Sequence, residues 1–365
     1  MARRAESPAI GAAGGPPVSP LAEIACPDDW HVHFRDGDLL RSVVPETARH
    51  FARALVMPNL VPPVASAADA SAYRRRILEA VPGGVEFEPL MTLYLTEETD
   101  PSDIEAAAVG ETATAVKLYP AGATTNSGGG VRNFDLIDPV LEKLAEIGMP
   151  LCVHGEVADE SVDIFDREAV FLDKVLDPIR RKHPELRVVL EHVTTKEGVD
   201  YVSSGGTGIA ATITVHHLAI NRNAMFSGGM RPHNFCRPVA KREHHREALL
   251  SAATGGGEKF FFGTDSAPHL KQHKEAAVAC AGIFTATCAV PCLAQIFDDS
   301  GAIDRLESFA SLNGARFYRV QPNAGKLILE KCESPVGYPD RILAGNDSVA
   351  VFDPGFAIRW RARRI

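Results

Sequence analysis

Residues 115–154 read AVKLYPAGATTNSGGGVRNFDLIDPVLEKLAEIGMPLCVH, and the order of patterns within them decides the fold. Ala115–Tyr119 is a short apolar run interrupted by one lysine. Phe134–Ile147 then places Phe134, Ile137, Leu141, Leu144 and Ile147 on one helical face, with Glu142, Lys143 and Glu146 opposite. Pro150–His154 is a second apolar run. This strand–helix–strand unit recurs along the chain. The further runs are Ala54–Pro58, Glu86–Leu95, Arg187–His192, Gly208–Thr214 and Lys259–Thr264, preceded by Leu21–Cys26 and Trp30–His33, which read together as one strand. Helices are expected over about 40–53, 69–80, 161–182, 239–253 and 275–297. Alternation of this kind implies a parallel sheet covered on both faces, and eight strands close it into a (β/α)8 TIM-type barrel. An open doubly wound sheet is the competing architecture. It calls for a glycine fingerprint after the first strand, where this chain has histidines. The expected organisation is a flexible extension over 1–20, one catalytic barrel over 21–320, and a C-terminal segment over 321–365 packed on it.

Composition narrows the class. The 365 residues are 45% hydrophobic and 23% charged, with 38 Lys and Arg against 47 Asp and Glu, a net charge of −9. This acidity argues against a broad nucleic-acid surface, and no apolar run approaches the length of a membrane span. Seven cysteines without a C-x-x-C pair weigh against a thiolate zinc cluster and fit a reducing compartment. The first twenty residues lack the apolar core of a secretory signal, so a cytoplasmic location is expected.

In a barrel, chemistry sits where strands end. Those ends carry His31 and His33 in H-V-H, Lys117, His154, His192 and Asp265. In extended chain His31 and His33 point to one side and can reach one ion. Any one of these residues alone reads as a hydrogen-bonded core or rim side chain. Four imidazoles, an amine and a carboxylate converging on one face read as a metal centre suited to zinc.

The segments HVHFRDGD (31–38), VMPN (56–59), VKLYPAGATTNSGG (116–129), PLCVHGE (150–156), VLEHVTT (189–195), NRN (221–223), GGMRPHNFC (228–236) and GTDSAPH (263–269) closely resemble the dihydroorotases of the amidohydrolase superfamily, in their shorter single-function bacterial form. The resemblance runs from about residue 28 to about 320. It implies two zinc ions, one held by His31, His33 and Asp265 and the other by His154 and His192, with Lys117 carbamylated by carbon dioxide and bridging them. It further implies reversible closure of N-carbamoyl-L-aspartate to L-dihydroorotate in pyrimidine synthesis, with a hydroxide between the ions as nucleophile and Asp265 as general acid and base. Arg35, Asn59 and His269 would bind the substrate carboxylate. Thr124 and Thr125 would close over it on the loop 120–133, and backbone groups near Arg237 and Ala281 would meet the pyrimidine edge. Position 237 departs from the family, where an apolar residue is usual. A homodimer is expected on the same ground. Two alternatives remain at this stage: another cyclic amidohydrolase of the dihydropyrimidinase or hydantoinase type, which Arg35 and Asn59 disfavour, and an inactive scaffold, which should have lost metal ligands.

Overall fold

The computed structural model describes residues 17–365; the expected flexible extension falls largely on residues 1–16, which lie outside the described residues. Eight parallel strands form the central sheet in sequence order: β2 (Asp28–Val32), β3 (Arg53–Val56), β4 (Glu88–Tyr94), β5 (Ala115–Leu118), β6 (Leu151–His154), β7 (Val188–Glu191), β8 (Ile209–Ile213) and β9 (Phe260–Phe262). β1 (Pro17–Ala25) precedes them and belongs elsewhere. A short seam closes the sheet between β2 and the end of β9. There Val32 bridges Ser266, the Asp265 amide donates to the His31 carbonyl at 2.8 Å, and the His33 amide donates to the Ser266 carbonyl at 3.1 Å. The Asp29 carboxylate reinforces the seam, accepting from the Thr264 amide at 2.8 Å and its hydroxyl at 2.6 Å.

Strand alternation sorts the side chains. Trp30, Leu55, Ala115, Cys152, Val189, Ala210 and Phe261 form the inner cluster, whereas Val116, Leu118, Val153, Leu190, Phe260 and Phe262 pack in the outer core beneath the helices. The barrel floor is a stacked pair, Trp30 on Tyr318 with ring centres 4.2 Å apart. Gly314 is needed behind it, because a Cβ there would lie 1.9 Å from Trp30 Nε1.

The expectation that Leu21–Cys26 and Trp30–His33 form one strand is not what is found. Pro17–Ala25 pairs antiparallel with β10 (Lys326–Cys332), which in turn pairs with β13 (Trp360–Arg364) in a separate three-stranded sheet. Pro27 stands at the break and supplies a carbonyl to the Ala52 amide. Residues 17–25 therefore join the C-terminal segment rather than the barrel. β11 (Arg341–Ala344) and β12 (Asp347–Ala350) add a hairpin.

The helices also differ in detail. Helix Asp138–Ile147 starts four residues later than expected, after a turn that leaves Leu136 exposed. The long segment expected over 275–297 is helical only over Ala289–Asp299, preceded by a single turn at Lys271–Lys274. Helices Pro101–Val109 and Lys196–Ser204 were not anticipated. Among the described residues no helix is long and apolar enough to cross a membrane.

Candidate metal centre and its anion pocket

Alternation explains how the strands deliver their polar ends. Ala115 and Cys152 point inward, so Lys117 and His154, two residues further on, also point inward at the carboxyl ends of β5 and β6. β2 uses a register irregularity between Asp29 and Val32, which brings His31 inward beside inward-facing Trp30. His192 follows outward-facing Leu190, so a continued strand would carry it away from the axis. Its φ of 40° turns the chain instead. Asp265 (φ 43°) and Arg35 (φ 58°) share this left-handed backbone, which non-glycine residues adopt at a cost and which clusters at functional sites.

His31, His33 and Asp265 form a closed triangle. The two Nε2 atoms are 3.3 Å apart, and Asp265 Oδ1 lies 3.4 Å from the first and 3.2 Å from the second. Ligands placed ~2.0–2.1 Å from a tetrahedral zinc ion are ~3.3–3.4 Å from one another, so this spacing is already that of a coordination face. The other ring nitrogens are tied back. His31 Nδ1 donates to Glu191 Oε2 and His33 Nδ1 to Asn59 Oδ1, both at 2.8 Å, leaving each Nε2 lone pair free for a cation. Glu191 is itself fixed by the Thr212 hydroxyl at 2.7 Å.

His192 sits between the two histidine groups, its ring centre 4.9 Å from those of both His31 and His154. His154 donates through Nε2 to Glu156 at 2.9 Å. Lys117 is completely buried, and its Nζ has no hydrogen-bond partner; His192 Nδ1 is likewise buried and unpartnered. Orphaned polar atoms in the core are costly, and these two belong to residues that cation chemistry would satisfy. The protonation states agree with that use. Burial lowers the Lys117 amine and pushes His33 down to about 3, favouring neutral bases. Asp265 is the one carboxylate of the triangle and supplies its negative charge. A neutral amine and a neutral imidazole beside a carboxylate are what a cation requires.

Arg35 and His269 flank the triangle. Arg35 Nε donates to the Pro268 carbonyl at 3.2 Å and Nη2 lies 3.2 Å from His269 Nε2, while Nη1 is buried without a partner. His269 Nε2 also lies 2.9 Å from the Ala281 carbonyl. Burial and Arg35 push this imidazole down to about 2, so it is neutral and Nε2 can serve only one of these neighbours at a time. An incoming carboxylate would answer the unmet demand on both residues.

Asn59 is more engaged than the sequence implied: besides holding His33, its Nδ2 donates to the Thr125 carbonyl at 2.9 Å. The loop 120–133 lies folded down. The Thr125 hydroxyl donates to the Ala281 carbonyl at 3.3 Å, the Thr124 amide to Ser127 Oγ at 2.9 Å, and the Arg237 side chain to the Ala123 carbonyl at 2.9 Å. The structure thus brings His31, His33, Lys117, His154, His192 and Asp265 to one floor. Arg35, Asn59 and His269 lie at its edge, with Thr124, Thr125, Arg237 and Ala281 on the loops above.

Sequence reasoning missed Asp29 and Glu156, each two residues from the histidine it helps to orient, and Glu191, which holds His31 from a distant strand. It also missed a second buried group, His216, His217 and Cys236. There His217 is already engaged through both ring nitrogens, with the Thr214 hydroxyl at 2.9 Å and the Pro238 carbonyl at 3.0 Å.

A profile of the amidohydrolase family matches residues 28–329. Dihydroorotase of Ruegeria sp. (strain TM1040) is 60% identical over 337 residues, covering 92% of this chain and 97% of its own. Dihydroorotase of Cereibacter sphaeroides (strain ATCC 17025) is 62% identical over 334 residues, with 92% and 96% covered. The chain belongs to the dihydroorotases of the amidohydrolase family. Solved structures agree. Dihydroorotase of Saccharomyces cerevisiae, crystallised with 5-fluoroorotic acid, superposes with a TM-score of 0.86 at 32% identity, covering 94% of this chain and 98% of that one. The Campylobacter jejuni dihydroorotase gives 0.85 at 35% identity, with the same coverage. An Arthrobacter aurescens L-hydantoinase shares the fold, with a TM-score of 0.73 at 15% identity.

Proposed function

We propose that the chain catalyses the reversible closure of N-carbamoyl-L-aspartate to L-dihydroorotate, in the cytoplasm and as a homodimer, with two zinc ions at the site above. The observation that carries the substrate assignment is Arg35, a part-buried side chain whose buried Nη1 is without a partner beside the cation triangle. Such a group calls for an anionic ligand, and a bidentate grip on a carboxylate separates this substrate from unsubstituted cyclic amides.

His31, His33 and Asp265 would hold one ion and His154 and His192 the other, with Lys117 between them. Held as a free amine, Lys117 can attack carbon dioxide. A nitrogen–carbon bond forms, a proton leaves the nitrogen, and the resulting carbamate offers two anionic oxygens where a neutral amine offers one lone pair. When bound, the ions supply Lewis acidity, lowering the pKa of water and polarising an amide carbonyl.

The remaining work falls to the protein. Arg35 and His269 take the substrate carboxylate, and Asn59 couples its neighbour His33 to the loop through Thr125. In ring opening, the attacking water forms a bond to the ring carbonyl carbon and the carbon–nitrogen bond breaks. Asp265 accepts the water proton and returns it to the leaving nitrogen. Its Oδ1 faces the imidazoles, which leaves Oδ2 to carry that proton. Beside the cations it would help to hold, its carboxylate stays in the basic form at neutral pH. Closure of the ring runs the same transfer backwards. Thr124 and Thr125, on the folded-down loop, exclude bulk water and add hydroxyl donors, and the backbone at Arg237 and Ala281 meets the pyrimidine edge.

The test is hydrolysis of L-dihydroorotate by purified, zinc-loaded protein, with dihydrouracil and hydantoin alongside. Turnover confined to dihydroorotate is the expected result. Turnover of the unsubstituted rings instead would overturn the carboxylate assignment. Silence on all three with zinc bound would point to a scaffold.

A further inference from the structure

Lys274 has no part in the chemistry above, yet it is 3% exposed and fully committed. It ends the short helical turn Lys271–Lys274, and its Nζ donates to three backbone carbonyls: Phe235 at 2.8 Å, Cys280 at 2.9 Å and Gly282 at 2.7 Å. An ammonium has three protons, so its capacity is filled. The titratable groups facing it are the Cys236 and Cys280 thiols and the His269 imidazole, and the Phe235 ring lies 5.9 Å away. With only thiols and an imidazole facing it, the charge is held by carbonyl dipoles.

Those carbonyls belong to two loops of particular importance. Phe235 stands two residues before Arg237, and Cys280 and Gly282 flank Ala281. The Gly282 amide joins the same loops by donating to the Phe235 carbonyl at 3.0 Å. Gly282 has a φ of 154°, and a Cβ there would lie 2.5 Å from the Ala267 carbonyl, so the path is open to glycine alone. The Ala281 carbonyl between them is where His269 and Thr125 converge from the front. The ammonium grips the same stretch of chain from behind.

We propose that Lys274 is a positioning residue for substrate recognition: by holding the Phe235, Cys280 and Gly282 carbonyls, it sets the backbone at Arg237 and Ala281 against the ring edge and so fixes affinity rather than the rate of bond cleavage. This rests on the dihydroorotate reading given above. A supporting property is that burial pushes the Lys274 ammonium down to about 8. Above that pH the group loses its charge and one of its three donors, and the grip slackens.

The experiment measures KM and kcat separately for L-dihydroorotate with zinc-loaded wild type, Lys274→Met and Lys274→Gln, from pH ~6.5 to ~9.5 across the lysine transition. Losing charge-assisted bonds from one ammonium should raise KM ~10-fold or more in Lys274→Met. Its kcat should stay within about threefold of wild type, the pattern of lost ground-state and transition-state binding alike. Lys274→Gln, with two amide donors, should fall between, and zinc content should be unchanged in both. Wild-type KM should climb above pH 8 while that of Lys274→Met does not. Wild-type KM in Lys274→Met, a loss confined to kcat, or lost zinc would each overturn the proposal. If Lys274→Met fails to fold, the wild-type profile decides, and a KM flat across pH 8 overturns it. No turnover by loaded wild type would overturn the parent reading and this one with it; the other failures touch Lys274 alone.

Discussion

Replacing Arg35 with methionine isolates the carboxylate grip. The side chain is not a metal donor, and its backbone carbonyl, which accepts from the Tyr73 hydroxyl at 2.7 Å, survives the change. The left-handed backbone at this position burdens both residues alike. What disappears is the Nε bond to the Pro268 carbonyl, the buried Nη1 without a partner and the Nη2 beside His269. Two charge-assisted bonds to a carboxylate at ~1.5–3 kcal/mol each amount to ~3–6 kcal/mol of binding and transition-state stabilisation. At ~1.4 kcal/mol per decade, kcat/KM for L-dihydroorotate should fall ~100- to 10,000-fold. Dihydrouracil has no carboxylate to lose, so any slow turnover of it should change little. The assay is paired steady-state kinetics on both rings, with zinc measured in the same preparations. An equal fall on both substrates, or loss of zinc, would refute the assignment of Arg35.

Three other outcomes are expected. Lys117→Ala should lower bound zinc and abolish activity, with partial rescue by a small carboxylic acid; a 13C signal from labelled carbon dioxide, present in wild type, should be missing. Arg237→Leu removes the bond to the Ala123 carbonyl, worth ~1–2 kcal/mol. Hydrogen exchange over 120–133 should therefore quicken ~10-fold, and unchanged exchange would show that Arg237 is not a latch. Gly314→Ala drives a methyl into the Trp30 indole and should cost about 3 kcal/mol or more, read by thermal unfolding. A variant of wild-type stability would mean the barrel floor is looser than its stacked geometry implies.

The donors were legible because each sits at the end of an apolar run, where a charged or imidazole group has no reason to be in a dry core. Lys117 and His154 follow simple alternation from Ala115 and Cys152. His192 does not, and a strand pattern alone would have sent it outward; only its local motif flagged it. Glu191 was unreadable for the related reason that consecutive strand residues should face opposite ways, yet a turn at His192 lets both reach the site. The misplacement of Leu21–Cys26 is a long-range matter. Its partner is Lys326–Cys332, some three hundred residues away, and nothing local says which sheet an apolar run will join. Residues 275–288 carry apolar residues at near-helical spacing, but the Cys280 and Gly282 carbonyls, bound to Lys274, hold part of that stretch out of helix. Helix Pro101–Val109 had a readable start in Asp100-Pro101, whose carboxylate caps the Ser102 amide at 2.8 Å. Its alanine-rich body carries too little apolar contrast to reveal a face.

The seam between β2 and the end of β9 bears on how the protein is made. Asp29 and Thr264, which lock it, are 235 positions apart, so a chain emerging from the ribosome carries β2 as an open edge until most of the polypeptide has been synthesised. Exposed edges of this kind invite pairing with other chains. His31, His33 and Asp265 lie at the two ends of that same wait, so no nascent fragment can assemble the triangle. Catalytic competence and completion of the barrel arrive together.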